Sequence, residues 1–123
     1  ANSGADVPHP LSEIIGGITH MTHGCALACV FVPFLEVMGE KHKKDFDELA
    51  HILDPNLEET ADGSKQLAQI VRQFMASIEM DITLSSMGVT KEDFDLICQS
   101  PVLHHLPFAT YEECVAILNK AYA

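Results

Sequence analysis

Basic residues are scarce: 7 Lys and Arg stand against 18 Asp and Glu, a net charge of −11 with histidines neutral. Such a balance argues against a surface built to neutralise phosphates, so no nucleic-acid partner is expected. Long apolar runs are missing too. The longest candidate, Cys25 to Met38, is interrupted by Pro33 and Glu36 and falls short of the roughly 18 to 20 residues that cross a bilayer. A soluble protein is therefore expected. Ala1 to Val7 carries neither a basic region nor an apolar stretch, so it does not read as a signal peptide, and the cytoplasm is the default home. Strand signals are nearly absent, as are repeats and low-complexity tracts.

What is present is an ordinary folding composition, 47% hydrophobic and 20% charged over 123 residues, which is room for one compact unit and not for two. The apolar residues recur at three and four, and the chain reads as all-α, a compact multi-helix domain of about six to seven helices spanning residues 1–123. Leu11, Ile14, Ile15 and Ile18 form a first stripe, which Gly16-Gly17 is expected to end, giving a turn near residues 16 to 21. Thr22 can cap a second helix that is apolar nearly all round, from Ala26 to Met38, kinked at Pro33 and closed by Gly39. This helix belongs at the centre. A third, Lys41 to Leu53, sets Phe46, Leu49, Ile52 and Leu53 on one face, and a fourth from about Thr60 to Glu79 aligns Leu67, Ile70, Phe74 and Ile78. Capping boxes at Thr90/Asp93 and Thr110/Glu113 open two short helices, with an irregular stretch from Ser100 to Ala109 between them.

The four cysteines have neither knuckle spacing nor a partner pair for zinc and read as small core hydrophobes. The seven histidines are more telling. His42 and His51 lie on or near the charged face of the third helix and read as solvated, and His104-His105 sit in a loop. His9, His20 and His23 flank the glycine pair. On one straight helix His9 and His23 would stand about 21 Å apart at 1.5 Å per residue, so they share an ion only if the chain reverses between them. Gly16-Gly17 is the place for that reversal. Imidazole suits zinc, iron or nickel, yet two histidines fill half of a four-ligand shell, and on spacing alone a metal ligand and a packed or capping histidine both stay open.

The run Ala5-Asp6-Val7-Pro8-His9-Pro10-Leu11, continuing as Ile18-Thr19-His20-Met21-Thr22-His23-Gly24-Cys25-Ala26-Leu27-Ala28 with Pro33 after it, resembles the iron-containing (group III) alcohol dehydrogenases, in their helical domain. The segment "FMASIEMDITLSSMG" at 74–88 and the closing "TYEECVAILNKAY" at 110–122 are similar to that family's later loop and last helix. The resemblance implies that His9 and His23 are metal ligands, with iron as the first choice of divalent metal and zinc the second. It implies an enzyme that moves a hydride between NAD or NADP and a small alcohol or aldehyde, the ion polarising the substrate oxygen. Glu13 stands where many relatives carry a further histidine, and Leu106-Pro107-Phe108 replaces an Asn-Pro seen before their last helix. Glu13 and His20 are taken as pocket or supporting residues. The family's α/β domain brings a glycine-rich pyrophosphate turn, an aspartate and another histidine; no Gly-x-Gly-x-x-Gly occurs in these 123 residues, so the chain is expected to be the helical part alone, inactive by itself and self-associating through its uncovered cleft face. A homo-oligomer is the expected assembly. Two other readings are a free-standing helical adaptor for basic partners, and a small metal carrier whose shell is completed by His104 and His105 or by Glu13.

Overall fold

The computed structural model describes residues 8–56, 63–106 and 109–123. Within them lie six α-helices, α1 (Pro8–Thr19), α2 (His23–Met38), α3 (Lys43–Leu53), α4 (Gly63–Ser77), α5 (Lys91–Cys98) and α6 (Tyr111–Tyr122), and a 3₁₀ turn at Pro101–His104. No strand occurs among the described residues, and none of the helices is long and apolar enough to cross a membrane.

α2 takes the centre because it can bury almost any face it presents. It packs against α1, α4 and α6, and Val30, Phe34, Leu35 and Met38 are all sealed from water. Its start is set by Thr22, whose hydroxyl accepts from the Cys25 backbone N–H at 3.3 Å. The helix runs on through Pro33 and ends at Met38, with Gly39 in ordinary right-handed geometry at φ −58°. α1 buries Leu11 and Ile15, with Ile14 and Ile18 packed at the edge of the core.

α1 departs from the sequence expectation at its end. Gly16-Gly17 does not stop it: the helix passes through both and reaches Thr19. Two adjacent glycines weaken a helix by about 1 kcal/mol each, and burial of the Leu11/Ile15 stripe outweighs that cost here. The reversal falls at residues 20–22, where His20 takes a left-handed φ of 63°. The Thr19 hydroxyl pins it, donating to the Ile15 carbonyl at 2.7 Å and accepting from the Met21 N–H at 3.2 Å.

α3 and α4 pair with each other, and here too a tertiary result overrides the pattern. Phe46 and Ala50 of α3 and Leu67 of α4 reach the core. Leu49, Ile52, Leu53, Phe74 and Ile78 remain exposed, Ile52 at 73%. A hairpin whose only extensive contact with the centre runs through α4 has too little partner surface to cover both stripes. The expected start of α4 at Thr60 lies outside the described residues. Downstream, Leu84 N–H donates to the Ala121 carbonyl at 2.8 Å and Ser85 N–H to the Tyr122 carbonyl at 3.2 Å, which straps the link after α4 to the end of α6. Thr90 caps α5 by accepting from Asp93 N–H, and Thr110 with Glu113 makes the full reciprocal box on α6. Cys29 and Cys114 are buried as expected, whereas Cys25 and Cys98 are half-buried; all four are free thiols.

Candidate metal centre

The chain between α1 and α2 doubles back along α1. A side chain at Gly16 would place its Cβ 3.2 Å from the Met21 carbonyl oxygen, so the absence of one lets the link pass close over the helix. That return sets His23, the first residue of α2, beside the first turn of α1. The rings of His9 and His23 meet edge to face with centroids 4.7 Å apart. Two nitrogens on one tetrahedral ion at about 2.1 Å each lie about 3.4 Å from one another, a spacing compatible with rings this close.

The surroundings complete the picture. Glu13, one turn on from His9, holds Oε1 3.1 Å from the His9 Nε2, with both side chains more than half exposed. Ser12 lies between the two histidines, wholly buried. Its hydroxyl donates to the His9 carbonyl at 2.7 Å and sits 3.2 Å from the His23 Nδ1. Neither the apolar period nor the histidine spacing singles out Ser12, although its place three residues after His9 is the spacing at which a helical serine reaches back to a carbonyl. The donor set fits half a divalent shell: two imidazoles on separate helices, open to solvent, with a carboxylate beside one of them. Among the described residues no group of three or more His, Cys, Asp or Glu is arranged to hold a metal ion by itself.

His20 does not join the pair. It stands exposed at the turn and lines a separate cavity of about 330 Å³ with Cys25, Met87, Gly88 and Asp93 among its walls. The other histidines have local roles. His51 Nδ1 lies 3.4 Å from Asp47 Oδ1, and the His104 ring stacks flat on Tyr111 at 4.3 Å. His42 differs from its solvated reading: it is half-buried against Phe46, and its Nε2 is buried with no hydrogen-bond partner among the described residues.

The described residues thus form an all-helical domain in which two imidazoles meet at the starts of successive helices. Residues 1–122 match the Fe-containing alcohol dehydrogenase family, C-terminal part, and the chain belongs to that family. No curated protein and no solved structure matches it.

Proposed function

We propose that this domain is the metal-holding half of an NAD(P)-dependent alcohol dehydrogenase or aldehyde reductase, with His9 and His23 as two ligands of a divalent ion, iron before zinc. The observation that carries the reading is the 4.7 Å approach of the two rings, from positions fourteen apart in sequence, at the place the family resemblance implies for ligands. The chemistry such an ion supplies when bound is Lewis-acid polarisation of a substrate alcohol or aldehyde oxygen during hydride transfer. The chain's own residues bind and orient. The imidazoles of His9 on α1 and His23 on α2 would hold the ion, Glu13 keeps a carboxylate beside His9, and His20 walls the neighbouring cavity. The remaining ligands and the dinucleotide site belong, on this reading, to an α/β domain that works with this one. The same reading takes the enzyme to the cytoplasm as a homo-oligomer.

Anaerobic calorimetry of the 123-residue chain with Zn²⁺ and Fe²⁺, against His9→Ala and His23→Ala, tests it. Weak binding lost in both variants is the expected result. Binding that is absent, or indifferent to both substitutions, overturns the reading.

A further inference from the structure

The hydroxyl of Ser12 is the one wholly buried polar side chain among the described residues, and it touches both histidines of the pair. A serine has a single proton to donate. At 2.7 Å the His9 carbonyl oxygen, which can only accept, takes that proton. What the hydroxyl then offers the His23 ring, 3.2 Å away, is a lone pair, and a lone pair facing a bare Nδ1 would be repulsive. The contact is favourable when His23 Nδ1 carries the proton and donates it to Ser12. In neutral imidazole only one nitrogen is protonated, so Nε2 is left with its lone pair free.

We propose that Ser12 is a positioning residue: it locks His23 as the Nδ1–H tautomer with Nε2 as the ligating nitrogen, and ties that ring to the backbone of His9. The ligating role of Nε2 rests on the metal reading above, whereas the tautomer does not. The arrangement is economical in chemical terms. One hydroxyl links the two helices at the residues that must stay together, since α1 carries His9 and α2 carries His23. A ring held through its inner nitrogen keeps the outer one aimed, and loss of such a supporting contact typically lowers metal affinity about 10- to 100-fold.

The test is a two-bond ¹H–¹⁵N correlation of the histidine rings in the metal-free chain at about pH 8.5, where unperturbed imidazole is neutral. His23 is expected as the Nδ1–H form in the unmodified chain, and as a mixture or the Nε2–H form in Ser12→Ala. A His23 that is Nε2–H in the unmodified chain, or a tautomer unchanged in Ser12→Ala, overturns the assignment. The first of these needs no variant, so the assignment stays falsifiable if Ser12→Ala fails to fold. Ser12→Thr, which keeps a hydroxyl, should restore the Nδ1–H signal. With Zn²⁺ as probe, Ser12→Ala is expected to weaken binding by about tenfold or more; equal affinity overturns the coupling to the metal. If the unmodified chain shows the Nδ1–H tautomer but binds no Zn²⁺, the metal reading falls and the serine's hold on the ring stands.

Discussion

The backbone N–H of Gly63 donates to Oδ1 of Asp47 at 2.7 Å, so a carboxylate on α3 caps the first residue of α4. A negative group at a helix start satisfies an otherwise orphaned donor and complements the dipole. The contact demands a bare α-carbon. A Cβ at Gly63 would lie 2.7 Å from that same oxygen, 2.9 Å from the Asp47 carbonyl and 3.0 Å from the Ala50 Cβ. Gly63→Ala is therefore expected to destabilise the chain by about 1–3 kcal/mol in urea unfolding. Gly17→Ala is its opposite: nothing lies within 4 Å of the added carbon, the site is inside α1, and a gain of about 0.5–1 kcal/mol is expected. Equal effects at the two glycines would refute the steric account.

The uneven burial of the α3/α4 hairpin makes a second contrast. Leu67 is fully enclosed, and Leu67→Ala should cost about 2–5 kcal/mol. Ile52, in a stripe of similar appearance, should accept serine with a change within about 0.5 kcal/mol. Chemical denaturation of the two variants side by side decides it. A large loss at Ile52 would mean that this face is covered in solution.

The cap of α6 links stability to pH. Thr110 N–H donates to Glu113 Oε1 at 2.8 Å, and this bond, with help from Lys41, holds the Glu113 carboxyl below its usual range against a smaller opposing effect of burial. A carboxyl lowered in the folded state stabilises the fold above its unfolded pKa, and that contribution fades as pH falls through the folded value. Glu113→Gln should flatten the loss of stability between about pH 5 and 3. Thr110→Ala, which removes the reciprocal cap, should cost about 1 kcal/mol at neutral pH.

Thiol reactivity should follow burial. Cys29 and Cys114 are pushed up to about 11, in each case by burial first, with the neighbouring Cys25 and Glu113 charges adding to it. The thiolate is the nucleophile, so both should resist iodoacetamide at pH 8 in the native chain and react once it is unfolded. Cys25, half-buried and on the wall of the His20 cavity, should label first, as read by peptide mass spectrometry. Early labelling of Cys29 would contradict the packing of α2.

Much of this protein is legible before any folding. The period of the apolar residues and the Thr22, Thr90 and Thr110 caps locate the helices to within a few residues, because periodicity and capping are local, settled within a turn or two of the chain. The two proposed ligand positions, His9 and His23, come from the family resemblance of the run around them. Three features needed the tertiary structure. The pattern predicts a break at Gly16-Gly17, yet the helix runs through both and Gly16 alone gives clearance to the returning link, because a glycine's use depends on what approaches it. The apolar stripes of α3 and α4 look uniform in sequence, yet each is buried at one place, as at Phe46 and Leu67, and exposed at another, as at Ile52 and Phe74, because burial depends on whether a partner arrives. The meeting of His9, Ser12 and His23 is the third: their separation along the chain is set by sequence, but their separation in space is set by a backbone that turns at His20 and runs back over α1.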